Sequence, residues 1–214
     1  MTEDRTAQLQ AIAEEIRNCT ACRLHQYASN AVPGYGDDHA EILFIGEAPG
    51  FEEDRQGLPF VGRSGRYLDY LLEMIGMKRQ QVFITNVIKH RPPDNRDPQP
   101  DEIVACKSFL DRQFAAIDPL VVATLGRFGM ARYFPNARIS QIHGQPRYGD
   151  SRAYYPLYHP AAALRNPGLR HAMEADMKRL PEIIAEVRRR REANIVEEAN
   201  PPEDEQPPQQ LKLF

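Results

Sequence analysis

Four short β-branched runs, set in alternation with longer amphipathic segments, constrain this chain more than anything else in it. The runs are "ILFI" (42–45) and the apolar centres of "QVFITNVIKH" (81–90), "PLVVATLG" (119–126) and "AYYPLYHP" (153–160). Apolar stretches of this length, bounded by turn residues, read as strands buried on both faces. The first helix spans Ala7 to Arg17, with Leu9, Ile12 and Ile16 on one face. "SGRYLDYLLEMIGM" (64–77) has Ser64 as its expected N-cap and Gly76 as its stop, and Asp101 opens "DEIVACKSFLDRQFAAI". "RFGMARYF" is a short helix, and "LRHAMEADMKRLPEIIAEVRRRRE" closes the body, with Pro181 expected to bend it or split it in two. Strands alternating with helices imply a parallel sheet covered on both faces. The expected fold is α/β: a three-layer α/β/α sandwich with a central four-stranded parallel sheet, over residues 1–190.

With 214 residues and 42% hydrophobic content, the chain suits one well-packed domain. It has no run approaching the roughly 18 apolar residues of a membrane span, and its polar, acidic start does not read as a signal peptide. A cytoplasmic monomer is expected. Residues 191–214 form an acidic, proline-rich tail, expected to be disordered from about Ala193. The tail holds six acidic and two basic residues, which leaves the body at about +1. That is far from the basic signature of a static DNA-binding protein, so a nucleic-acid role would rest on local clusters. The three cysteines, Cys19, Cys22 and Cys106, are an odd count that argues against a disulfide framework.

In open α/β sheets, ligands bind beyond the carboxyl ends of the strands. Here "GEAPGFEED" follows the first strand, "TNVIKHRPP" closes the second and "YHPAAALRN" closes the fourth. Carboxylates placed directly after a core strand contribute little to a core. They make sense as the floor of a site.

"GEAPGFEEDRQGLPFVGRSG" (46–65), "TNVIKHRPPDNRDP" (85–98) and "HPAAAL" (159–164) resemble, in order, the signature segments of the family-4 uracil-DNA glycosylases, the iron–sulfur branch of their superfamily. The resemblance runs from about Arg17 to Leu180. It implies hydrolysis of the N-glycosidic bond of uracil in DNA, leaving an abasic site, with the base flipped into a tight pocket. By the same resemblance, Phe60 stacks on uracil, Asn86 reads its edge with a carboxamide, and His159 donates to O2. Ala48 stands where the best-known branch has an Asp. Glu47 and Glu53 are therefore the favoured carboxylates for the attacking water, Asp54 is third, and Asn95 is a water-positioning partner. Leu164 would fill the gap left by the base. Arg63, Ser64, Arg66, Lys89, Arg91 and Arg165 are candidate DNA-backbone contacts.

Cys19, Cys22 and Cys106 match three cluster positions of the family, and His90 stands where the usual form has the fourth Cys. By residue type alone, Cys₃His is an equally good zinc set; the resemblance favours a [4Fe–4S] cluster. A related branch with the same swap crosslinks to uracil-DNA, but its inserted basic loop is missing here. The terminal "QLKLF" is similar to the pentapeptide by which bacterial replication proteins bind the sliding clamp, with Gln210, Leu211, Leu213 and Phe214 as its key residues. The alternatives are a non-cleaving or crosslinking uracil-DNA or nucleic-acid-binding module, a redox Fe–S protein, and a glycosylase for another deaminated base.

Overall fold

The computed structural model describes residues 5–149 and 151–199. Its strands are β1 (Tyr35–Gly36), β2 (Ile42–Gly46), β3 (Phe83–Asn86), β4 (Val121–Leu125), β5 (Arg147–Tyr148) and β6 (Ala153–Leu157). Its helices are α1 (Arg5–Arg17), α2 (Phe51–Gln56), α3 (Arg63–Met74), α4 (Pro100–Ile117), α5 (Arg127–Ala131), α6 (Ile139–Ile142), α7 (Pro160–Ala163), α8 (Pro167–Lys178) and α9 (Leu180–Ala199).

The sheet order is β1-β3-β2-β4-β6-β5. Strands β3, β2, β4 and β6 are mutually parallel, and β1 and β5 pair antiparallel at the two edges. The fold is α/β as expected, but the sheet has six strands, four parallel and two antiparallel, where a four-stranded parallel sheet was expected. Each edge strand is two residues long, too short to carry any alternation in sequence.

The period of two along a strand explains why the sheet is buried on both sides. Ile42 and Phe44 point into one apolar layer, with Leu68, Leu71 and Leu72 of α3, Met173 and Met177 of α8, and Ile183 and Val187 of α9. Leu43 and Ile45 point into the other, with Leu9, Ile12 and Ile16 of α1 and Leu110 and Ile117 of α4.

Several local expectations change. Ser64 lies inside α3, whose N-cap is Gly62. The acidic segment after β2 is helical from Phe51. As expected, the closing segment splits, at Arg179, into α8 and α9; Pro181 then falls in the first turn of α9, where its missing N–H costs no hydrogen bond. Helix α9 continues to Ala199, past the point where the tail was expected to begin. Gln210 to Phe214 lie outside the described residues. Among the described residues, no helix is long and apolar enough to cross a membrane.

Candidate active site

Gly46 ends β2 and Asn86 ends β3, directly paired across the sheet; His159 follows the end of β6. Together with Glu47, Ala48, Glu53, Phe60, Ser64, Asn95 and Arg165, Asn86 and His159 wall a cavity of about 260 Å³. That is below the roughly 300–1,000 Å³ typical of drug-sized ligands and in scale with a single pyrimidine. The three strand-end segments thus converge on one site.

Close approach shapes the floor. A Cβ on Gly46 would stand 2.4 Å from Asn86 Oδ1 and 2.6 Å from Phe60 Cζ, so only glycine leaves both side chains where they are. Asn86 is buried, and its Oδ1 has no hydrogen-bond partner. An unpaired buried carbonyl is costly in a folded chain, and one lining a cavity is available to a ligand donor.

Phe60 is buried with φ 52°, a backbone state that a bulky residue rarely adopts. It is held from two sides. Glu53 Oε1 accepts from the N–H groups of Val61 (2.9 Å) and Gly62 (2.8 Å), and Oε2 accepts from Gly50 N–H at 3.1 Å. Arg79 donates to the Phe60 carbonyl (3.1 Å) and the Pro59 carbonyl (2.7 Å). Gly65 of α3 permits this packing, since a Cβ there would lie 1.8 Å from Phe60 O.

The Phe60 ring lies 5.8 Å from the His159 ring at 34°. His159 Nδ1 accepts from Ala161 N–H at 3.1 Å. A backbone N–H can only donate, so Nδ1 is unprotonated and the ring proton sits on Nε2. Burial, reinforced by Arg165 and opposed by Glu53, brings the His159 pKa down to about 4. The imidazole is therefore neutral at physiological pH and still a donor.

The three carboxylates separate. Glu47 lines the cavity, and burial pushes its carboxyl up, with Asp97 adding to the effect and Arg127 opposing it. Glu53 also lines the cavity, but both of its oxygens are engaged by backbone amides. Asp54 is buried and does not line the cavity; its Oδ1 accepts from Ser29 N–H (2.9 Å) and Asn30 N–H (3.1 Å) and ties down that turn.

Lys89, expected at a DNA phosphate, is instead fully buried. Its Nζ donates to Thr85 Oγ1 (2.7 Å), Asn86 O (2.9 Å) and Gln113 Oε1 (2.8 Å), while Gln113 Nε2 donates to Pro33 O at 2.7 Å. This network clamps the main chain of Asn86 from behind. Of the other candidate DNA contacts, Ser64 and Arg165 wall the cavity and Arg91 donates to the wall residue Asn95 at Oδ1 (2.7 Å). Arg63 and Arg66 are exposed on the first turns of α3, and Leu164, 37% exposed, does not line the cavity.

A second cavity, of about 640 Å³, is lined by Cys19, His25 and His90. His90 is buried, and its Nδ1 has no hydrogen-bond partner. Cys106, on α4, belongs to the apolar layer that α1 and α4 form against the sheet, and Cys22 packs against that layer. Burial raises the Cys106 thiol to about 11, and Cys22 and Cys19 lie near enough to add to that shift. Among the described residues, no three His, Cys, Asp or Glu side chains stand in coordinating geometry. The donors nonetheless suit a soft metal group: three neighbouring thiols and an orphaned buried imidazole nitrogen beside open volume.

Gly46 opens a signature segment but carried no expected role there, and Gln113 and Arg79 lie outside every motif. A glycine closing a buried strand ("FIGE") is a readable sign of close approach. A buried Gln on a helix and an Arg strapping a distant loop leave no local sign.

The family model described as Uracil DNA glycosylase superfamily matches residues 33–182. A type-4 uracil-DNA glycosylase of Sulfurisphaera tokodaii is 46% identical over 185 residues, covering 82% of this chain and 84% of the relative. One from Thermotoga maritima is 40% identical over 161 residues, 74% of this chain and 84% of its own. A type-5 uracil-DNA glycosylase of Thermus thermophilus is 30% identical over 175 residues, 75% of this chain and 74% of its own.

Proposed function

Since the chain belongs to the uracil DNA glycosylase superfamily, we propose that it excises uracil from DNA by hydrolysis, and that the 260 Å³ cavity is where the flipped base is held. The observation that carries this reading is the meeting of an aromatic, an orphaned carboxamide oxygen and a neutral, tautomer-fixed imidazole in one base-sized space. Phe60 gives the pyrimidine a face to stack on. Asn86 Oδ1 accepts from uracil N3–H, and its amide donates to O4. Cytosine offers the opposite pattern at both atoms and leaves buried groups unpaired, which is the strongest form of discrimination available to a pocket.

As the bond between C1′ and N1 breaks, its electron pair passes to the uracil ring and negative charge builds on O2. His159 Nε2–H points the needed donor at that oxygen, and a preorganised donor of this kind is worth about 3 kcal/mol. Glu47, the one cavity carboxylate without a structural hydrogen bond among those described here, faces the cationic sugar. It takes the proton of the water that adds to C1′. Glu53 acts through the loop it organises, as a positioning residue for Phe60. Asn95 at the rim orients the water.

Cys19, Cys22, Cys106 and His90 would hold a [4Fe–4S] cluster in preference to zinc. When bound, that group supplies structural cross-linking between the N-terminal segment and the segment that follows Asn86. The missing basic loop of the crosslinking branch favours hydrolysis over capture of the sugar. The tail's "QLKLF" is read as a tether to a sliding clamp, acting by effective concentration; the site of action would be cytoplasmic. The reading is tested with paired oligonucleotides carrying one uracil or one cytosine. Alkali-dependent scission confined to the uracil strand supports it, and no scission of either strand refutes it.

A further inference from the structure

Phe51 is 59% exposed, and among the described residues it belongs to neither apolar layer. Its location is informative. It directly follows Gly50, which walls the cavity, and the Arg91 guanidinium sits 5.3 Å from its ring centroid. Arg91 Nε in turn donates to Asn95 Oδ1 at 2.7 Å, and Asn95 is another wall residue. Phe51, Arg91 and Asn95 therefore form one continuous lip on the β2–β3 side of the cavity. The other wall, with Ala161 and Arg165, follows β6, and β4 separates β2 from β6 in the sheet. Leu164, next to Arg165 in the chain, is a second exposed apolar side chain on the β6 side.

We propose that Phe51 is a second stacking element, which receives the base of a nucleotide flanking the uracil. This rests on the reading of the cavity as the uracil pocket. Extruding one base leaves its neighbours without a stacking partner. A wedge on the segment after β6 can cover one exposed face, and an apolar surface on the β2–β3 side can cover the other. An aromatic ring serves every base alike, because each has a π-face, and an arginine packed on the ring brings positive charge to the adjoining backbone. The occupant is a flanking nucleobase of the same DNA strand.

The test uses the full-length protein and a single-stranded oligonucleotide with 2-aminopurine beside the uracil. Phe51→Ala should raise KM about tenfold, the scale of one lost base–aromatic stack, and leave kcat within twofold. Phe51→Trp should restore the KM. With an uncleavable 2′-fluoro uridine in place of the substrate nucleotide, wild type should quench the 2-aminopurine and Phe51→Ala should not. The salt dependence of binding should be the same in both, because the ring releases no counterions. An unchanged KM, a loss that falls on kcat, or equal quenching by both proteins would overturn the assignment. A wild type that releases no uracil would remove the reading beneath it, a result distinguishable from failure of the Phe51 variant alone.

Discussion

His159 has its chemistry set by two neighbours. The Ala161 N–H fixes the tautomer and burial keeps the ring neutral. His159→Ala should lower kcat by about two to three orders of magnitude, as loss of a preorganised donor does, with little change in KM; single-turnover kinetics would measure it. The same burial has a consequence for stability. The folded value of about 4 lies below the ordinary 6.5, so between these pH values the unfolded chain binds a proton that the folded chain does not. Stability from this group is complete above about 6.5 and declines as pH falls toward 4. Thermal melts across that range should fall less steeply for His159→Gln than for wild type. The two cavity glutamates should also part company. Glu47→Gln should suppress kcat without lowering the melting temperature, whereas Glu53→Gln places an amide donor against one of three backbone N–H groups and should cost about 1–3 kcal/mol in stability. That Phe60, Asn86 and His159 line one cavity was legible in the sequence, because each sits in a motif that follows a strand. The difference between Glu47 and Glu53 could not, because Glu53's partners are backbone amides as far along the chain as Gly62, and amides leave no mark in a sequence.

At the level of elements, the site depends on how the end of β3 is held. Lys89 reaches back to Thr85 and Asn86 and across to Gln113 on α4. Gln113→Leu removes one acceptor from a buried ammonium, which should cost about 1–3 kcal/mol and loosen Asn86. The expected outcome is a lower melting temperature together with weaker discrimination of uracil from cytosine. A purely structural role would lower the first and leave the second untouched. Lys89 looked like a phosphate contact because a lysine beside a strand end is usually solvated; burial satisfied by three acceptors depends on Gln113, 24 residues away. The parallel strands were legible for the opposite reason, since continuous β-branched runs signal burial on both faces. The two edge strands were not, having only two residues each and glycine or arginine among them.

For the whole molecule, the sheet brings two sites to the region around β3: the base cavity at Asn86 and the thiol–imidazole cavity at His90. Three residues of chain lie between Asn86 and His90, so a group bound at the second would brace the first. His90→Cys should preserve iron content and melting temperature, whereas His90→Ala should lose both. Equal behaviour of the two variants would remove His90 from the ligand set. For the proposed clamp tether, deleting Gln210 to Phe214 should abolish binding to a bacterial sliding clamp and leave excision from a short oligonucleotide unchanged; clamp affinity unaffected by the deletion would remove the tether.

Hydrolytic release of uracil from this cavity can be followed by mass spectrometry of a single-uracil oligonucleotide incubated with the protein in heavy-oxygen water. The strand should lose uracil and gain one heavy hydroxyl at the abasic sugar, with the protein mass unaltered. An unchanged strand, or a covalent protein–DNA adduct, would contradict it.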